Sequence, residues 1–202
     1  MKILPANAQG MEEALRVVRN GGLVVHATET CYGFACDLTN PDAVAKLFAI
    51  KQRPAHQPVS TLFFSVDEAK KWVAWNNRAE ELAKEHLPGP LTIILPLRKD
   101  VIGKIFPTAT VPTQTLGIRV SSHPVAQELA EEFGKPLSTT SANLHGEENP
   151  YSMEDLQKQF SDDAGSDFLL LDSGTLKKNP PSTVIDLSGD EQTFRRLGST
   201  KP

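Results

Sequence analysis

The pattern of apolar and polar positions along the chain resolves into alternating helices and strands. Met11, Ala14, Leu15 and Val18 recur at i, i+3, i+4 and i+7, which places one apolar stripe on a helix. Gly21-Gly22 should end that helix. The β-favouring run Leu23–Ala27 predicts a strand, and the polar, glycine-containing stretch Thr28–Gly33 after it reads as a specialised connection. Asn40-Pro41 opens a second helix, with Asn as cap and Pro in the first turn. Val44, Leu47 and Phe48 form its buried face, and it should stop near Arg53-Pro54.

Val59–Phe64 and Leu91–Leu95 predict two further strands, the second fenced by Pro90 and Pro96. Between them, Val66–His86 reads as one broken helix or two consecutive ones. Leu116–Val120 predicts a strand, Pro124–Phe133 a helix and Leu137–Thr139 a short strand, and Ser152-Met153-Glu154-Asp155 is a capping box that opens one more helix. Phe168–Leu171, Thr183–Leu187 and Thr193–Leu197 complete the strands. Helices and strands alternate early and strands dominate late. That order predicts an α/β fold, a mixed-direction sheet with packed helices forming a single domain over residues 1–202.

Composition narrows the class. The 202 residues suit one ordinary domain, and 13 Gly and 15 Pro without any repeat argue against collagen-like and disordered chains. The longest apolar stretches, Leu91–Leu95 and Phe168–Leu171, fall far short of the roughly 20 residues a membrane helix needs, so no membrane association is expected. Cys31 and Cys36 lack the partners of a zinc site and read as small packing residues of a cytoplasmic protein. The net charge is −4, yet residues 147–167 hold seven acids and one lysine. Setting that segment aside leaves +2, so an anionic partner stays open.

Two familiar nucleotide signatures are missing. There is no G-x-G-x-x-G, and Gly134-Lys135 runs into Pro136 with Leu129 where a Walker A loop needs glycine. The five histidines show no H-E-x-x-H spacing, so no metal centre of the protein's own is expected. What remains is a set of hydroxyl-rich and cationic segments at predicted strand ends: Thr28–Gly33, Lys51–Arg53, Thr115–Arg119, Ser138–Asn143, Pro181–Asp186 and Arg195–Gly198. Strand ends of open α/β sheets line ligand crevices, and hydroxyls with guanidinium groups hold phosphate oxygens where no P-loop exists. Taken alone, Lys51-Gln52-Arg53 reads as the solvated last turn of a helix, where cations suit the dipole. Arg119 is a lone charge on an expected central strand and must be paired or face a cleft.

These segments, in this order, resemble the YrdC/TsaC family of threonylcarbamoyl-AMP synthases. The resemblance spans nearly the whole chain. It rests on Thr28-Glu29-Thr30-Cys31-Tyr32-Gly33, Lys51-Gln52-Arg53-Pro54, Pro88-Gly89-Pro90-Leu91-Thr92, Gly117-Ile118-Arg119-Val120, Ser138-Thr139-Thr140-Ser141-Ala142-Asn143 and Pro181-Ser182-Thr183-Val184-Ile185-Asp186. It implies a twisted sheet around a concave, positively charged cavity. The implied reaction condenses L-threonine, bicarbonate or CO2, and ATP into threonylcarbamoyl-AMP and pyrophosphate, for modification of tRNA. By the same resemblance Thr30, Arg119 and Thr139 would hold threonine, with Arg119 gripping its carboxylate bidentately. Lys51, Arg53, Gln57, Thr115, Ser141, Asn149 and Arg196 would surround the nucleotide, with Ser182 near its phosphates and Lys51 and Arg53 as the catalytic cations. Magnesium would arrive with ATP, and a downstream threonylcarbamoyl-transferase complex would take the product. Leu62 stands where many relatives place a histidine near threonine, which removes a polar contact. Two alternatives stay open: a module that grips tRNA or double-stranded RNA through phosphates, and a paralogue with another carbamoyl acceptor.

Overall fold

The structure is a computed structural model that describes residues 1–109, 113–160 and 168–202. In chain order its elements are β1 (Lys2–Pro5), α1 (Ala8–Arg19), β2 (Leu23–Ala27), β3 (Tyr32–Ala35), α2 (Pro41–Ile50), β4 (Ser60–Leu62), α3 (Val66–Lys70) and α4 (Asn77–His86). There follow β5 (Leu91–Pro96), a 3-10 turn at Lys99–Val101, β6 (Thr115–Arg119), α5 (Pro124–Phe133), β7 (Leu137–Ser141), α6 (Met153–Gln159), β8 (Phe168–Asp172), β9 (Thr183–Asp186) and β10 (Thr193–Arg196). Among the described residues the strands form one sheet in the order β1-β8-β2-β3-β7-β4-β6-β5-β9-β10. Its pairings are of both kinds: β1–β8 and β4–β6 are parallel, whereas β2–β3 and β5–β6 are antiparallel. Asp162, Asp163 and Asp167 of the acidic segment lie outside the described residues.

Helices begin where side chains can satisfy the first free N–H groups. Asn7 Oδ1 accepts from Gly10 N at 3.0 Å to cap α1, and Asn40 Oδ1 accepts from Asp42 N and Ala43 N to cap α2. Ser152 Oγ accepts from Asp155 N on α6, while the Asp155 carboxylate accepts from Tyr151 N. Each such cap stabilises its helix by about 1 kcal/mol. Gly10 also sets how α1 meets the sheet. A Cβ there would lie 2.0 Å from Pro5 O, so only glycine lets α1 approach the end of β1 so closely.

The expected strand set changes in three places. β1 carries no apolar alternation and exists because it pairs in parallel with the apolar β8. β3 falls partly inside the stretch read as a connection; its residues are buried on both faces, so no period-2 signal marks it. β7 runs on through Thr140 and Ser141, polar residues that pair with Phe34 and Gly33.

Strand alternation sends side chains to two different surroundings. On β6, Leu116 and Ile118 enter a core built with α2, α4 and α6, through Leu47, Leu82 and Leu156. The same core holds Phe34, Phe160 and Phe168, packed edge to face with ring centroids 5.2–5.6 Å apart. The opposite face is covered by α1, which packs on β2 and β8, and by α5, which packs on β2 and α1. Met11, Leu15, Val18, Val24, Leu129 and Leu169 form that second core. Farther along this face, the residues that alternate with the first core on β5, β6 and β9 include Thr92, Thr115, Gly117, Arg119 and Val184.

His26 lies on β2 two residues after Val24 and therefore on the α5 side. Its ring is fully buried, and Nδ1 lies 3.0 Å from Ala27 O. Burial pushes its pKa down to about 4, with the charges of His123 and Arg119 adding to the effect. Between the ordinary 6.5 and about 4, the unfolded chain binds a proton that the folded protein refuses. The neutral ring's contribution is thus complete above pH 6.5 and is lost as pH falls toward 4. At about 1.4 kcal/mol per pKa unit this amounts to roughly 3 kcal/mol. Urea titrations at pH 7 and pH 4 should show a smaller pH-dependent loss in His26→Gln than in the parent; equal losses would place the acid sensitivity elsewhere.

Candidate active site

The uncovered part of the second face holds a cavity of about 320 Å³. Its floor is strand surface: Ser60 of β4, Thr92 and Ile94 of β5, Thr115, Gly117 and Arg119 of β6, Thr139 and Ser141 of β7, and Val184 of β9. Its rim carries Thr30, Arg53, Asn149, Pro181, Ser182 and Arg196. Thr30, Arg53, Thr115, Arg119, Thr139, Ser141, Asn149, Ser182 and Arg196, nine of the residues expected in a site, are therefore brought together here. Lys51 and Gln57 are not on the wall.

Lys51 and Arg53 are separated by the way α2 ends. Gln52 adopts a left-handed conformation with φ 50°, Arg53 N donates to Phe48 O at 3.0 Å, and Gln52 N donates to Ala49 O at 3.1 Å. This is a Schellman motif formed without glycine. Lys51, still in helical conformation, continues the buried stripe of Val44, Leu47 and Phe48 inward, and the reversal at Gln52 carries Arg53 toward the cavity. The reading of this segment as a solvated last turn is thus corrected, since Lys51 is only 2% exposed. Its ammonium donates to Ser141 O, to Asn143 O at 2.7 Å and to Asn143 Oδ1 at 3.1 Å. Burial, with the Arg53 charge adding, pushes its pKa down to about 7. Three oxygen acceptors oppose that shift, because a neutral amine has only two hydrogens to offer them. Arg53 is braced by Gln57 O at 3.1 Å and Pro58 O at 3.0 Å, so Gln57 enters the site through its carbonyl.

Elsewhere on the cavity wall, Arg119 Nη2 donates to Glu29 Oε1 at 2.7 Å and to Thr30 Oγ1 at 2.9 Å. Thr28 shapes the turn that presents Thr30: its hydroxyl donates to Cys31 O at 2.7 Å and accepts from Thr30 N and Cys31 N. Arg196 donates to Ser182 O and Ser182 Oγ, both at 2.9 Å. Gly198 makes this possible, because a Cβ there would lie 2.0 Å from Pro181 O. Burial lowers the Arg53 pKa, and burial with the neighbouring Arg119 charge lowers that of Arg196. Guanidinium groups stay charged regardless, so this crowding is a demand for an anion.

Cys31 and Cys36 are free and buried, and burial raises both thiol pKa values, that of Cys36 to about 12. They pack, as expected, although Cys31 also touches the cavity. Leu62 is buried in the α1–α5 core and does not reach the wall.

The family model Sua5/YciO/YrdC, described as telomere recombination, matches residues 16–198. The chain belongs to the Sua5/YciO/YrdC family. A Klebsiella pneumoniae protein named threonylcarbamoyl-AMP synthase is 30% identical over 93% of this chain and 95% of its own length. P. abyssi Sua5, solved in complex with L-threonine, is 29% identical with a TM-score of 0.86. That match covers 98% of this chain but 56% of Sua5, so the chain spans little more than half of that relative. E. coli YciO has a TM-score of 0.82 at 28% identity, over 99% of this chain and 96% of its own.

Within this Sua5/YciO/YrdC site, sequence reasoning assigned no role to Glu29, Asn143, Ser60 or Thr92. Glu29 and Asn143 stood inside recognised motifs, but their partners come from distant elements. Thr92 carried a signal in its alternation with the buried apolar Leu91 and Ile93, whereas Ser60 stands between Val59 and the polar Thr61. Lys51→Met should destabilise the fold by about 2–3 kcal/mol, because the Ser141 and Asn143 carbonyls lose this donor, while Asn143 Oδ1 keeps only that of Ser141 Oγ. Urea denaturation checks this, and a variant as stable as the parent would mean that the ammonium does not hold the Ser141–Asn143 turn.

Proposed function

We propose that the protein is a threonylcarbamoyl-AMP synthase that condenses L-threonine, bicarbonate or CO2, and ATP. The observation that carries this is a single cavity with three arginines, and with no carboxylate among its described lining residues. Arg53 and Arg196 offer charge suited to a triphosphate, together with the hydroxyls of Thr115, Ser141 and Ser182 and the Asn149 amide. Arg119, Thr30 and Thr139 offer donors suited to an α-amino acid. Relatives named for this activity support the assignment, and so does the Sua5 structure that contains L-threonine.

The chemistry asks mainly for positioning. The threonine amine adds to CO2 and loses a proton, giving a carbamate. A carbamate oxygen then attacks the α-phosphorus, the new O–P bond forms as the α–β bridging bond breaks, and pyrophosphate leaves with the bond's electron pair. Holding both substrates side by side replaces an encounter by a geometry, and fixed cations stabilise charge on the phosphate oxygens as it builds. Lys51 serves this arrangement from behind, by fixing the turn that carries Ser141. Among the described residues no three His, Cys, Asp or Glu side chains converge as a metal site. Magnesium would arrive with ATP, where it would offset the charge of the phosphates.

The product is a mixed anhydride that water attacks readily, so a transferase complex that delivers it to tRNA fits this reading. Among the described residues no helix is long and apolar enough to cross a membrane, and two free buried thiols suit a reducing cytoplasm. With ATP, magnesium, bicarbonate and isotopically labelled threonine, the purified protein should release pyrophosphate and form a labelled adenylate visible by mass spectrometry. Arg119→Ala should abolish the dependence on threonine. Arg196→Ala should raise KM for ATP about 10- to 100-fold, the effect of losing charge-assisted hydrogen bonds. Pyrophosphate release no faster with threonine than without it would refute the assignment, and salt-sensitive binding of structured RNA without turnover would favour a binding module instead.

A further inference from the structure

The acid in the Thr28–Gly33 turn takes no part in the reaction just described, yet three separate elements meet on it. Glu29 Oε1 accepts from Arg119 Nη2 at 2.7 Å, at the end of β6. Oε2 accepts from Ser121 Oγ, in the turn before α5. The Glu29 main-chain carbonyl accepts from Asn179 Nδ2 at 2.8 Å, in the segment between β8 and β9. Ser121 is itself fixed: its carbonyl accepts from Gln127 Nε2 of α5, and its hydroxyl oxygen accepts from His123 N. The Glu29 and Arg119 side chains are only 15% and 9% exposed. Although burial opposes ionisation of Glu29, the Arg119 charge and the Ser121 hydroxyl outweigh it and hold the carboxyl below its usual range.

The consequence lies in which Arg119 hydrogens remain. Both hydrogens of Nη2 are engaged, one by Glu29 and one by Thr30. Nε is buried and has no partner among the described residues. A guanidinium anchored through one terminal nitrogen has a fixed plane and turns its other terminal nitrogen outward, and Arg119 lines the cavity. The same anchor keeps the Thr30 hydroxyl beside it. An acid anchored through both oxygens and its own carbonyl is a fixture, unlike a counter-ion placed to be displaced by an incoming carboxylate.

We propose that Glu29 is a positioning residue for recognition of the amino-acid substrate. It locks the plane of the Arg119 guanidinium and the Thr30 hydroxyl toward the α-carboxylate, while Ser121 and Asn179 lock Glu29. The inference rests on the synthase reading for the identity of the ligand, and on this geometry alone for the locked guanidinium.

The test uses the full-length protein with Glu29→Gln, Glu29→Asp and Ser121→Ala. Glu29→Gln should raise KM for threonine at least tenfold and leave KM for ATP within about twofold. Glu29→Asp, which keeps the charge on a shorter arm, should fall between Gln and the parent. Ser121→Ala, which leaves the ion pair but loosens it, should raise KM for threonine about threefold, and it serves as the deciding variant if Glu29→Gln does not fold. In parallel, nitrogen-15 NMR of the arginine side chains reads the anchor without any substrate. The Arg119 terminal nitrogens should rotate slowly in the parent and average in Glu29→Gln. A parent that ignores threonine but shows the restricted Arg119 signals would refute the synthase reading and leave the lock standing. An unchanged or lowered KM for threonine in the variants, a parallel rise in both KM values, or Arg119 signals indifferent to residue 29 would each overturn the proposal.

Discussion

A sheet whose two faces are covered to different extents is what the site depends on. One face is sealed along β5, β6 and β9 by the core that includes Leu47, Leu82, Leu91, Ile93, Leu116, Ile118 and Ile185. On the other, α1 and α5 pack on β8 and β2, their core extends to Leu62 of β4 and Leu137 of β7, and the surface beyond is left open. Because side chains alternate along a strand, every residue that anchors β6 in the sealed core obliges its neighbour to face the opening. Thr115, Gly117 and Arg119 are there for that reason. The cavity is thus the polar remainder of the pattern that builds the core.

The cations around this opening are held by oxygen atoms of the protein that mostly carry no full charge. Arg53 leans on two carbonyls, Arg196 on Ser182, and Lys51 on the Ser141–Asn143 turn. Carbonyl and hydroxyl oxygens orient a guanidinium or ammonium without neutralising it, so the positive charge stays available to a ligand. Arg119 differs, since Glu29 pairs with it. Arg53 and Arg196 are therefore left short of negative charge, whereas Arg119 is balanced. On the proposed function, that division suits a tetra-anionic nucleotide against Arg53 and Arg196 and a zwitterionic amino acid against Arg119.

The helices were largely legible in the sequence, because their caps and stripes are local: Asn40-Pro41, Ser152 with Asp155, and the Met11–Val18 stripe all sit where the pattern placed them. β1 and β3 were not, since one has no apolar alternation and the other is buried on both faces. Of the site, the residue types and their segments were visible, and nine of the expected side chains do line one cavity. The division of labour among them was hidden. Whether an inward Lys51 finds partners is decided by the oxygens of Ser141 and Asn143, and whether Arg119 is free or anchored is decided by Glu29, 90 positions away in the chain. Neither spacing nor composition encodes such partnerships.

If one cavity on the open face takes a triphosphate and an α-amino acid next to each other, a crystal structure with L-threonine and α,β-methylene ATP will show both, because that analogue cannot release pyrophosphate. The threonine carboxylate should then lie on Arg119 beside Thr30 and Thr139, and the phosphates between Arg53 and Arg196, with the α-phosphate facing the threonine nitrogen. Nucleotide or threonine bound away from these arginines, or the two lodged in separate places on the molecule, would contradict the shared cavity.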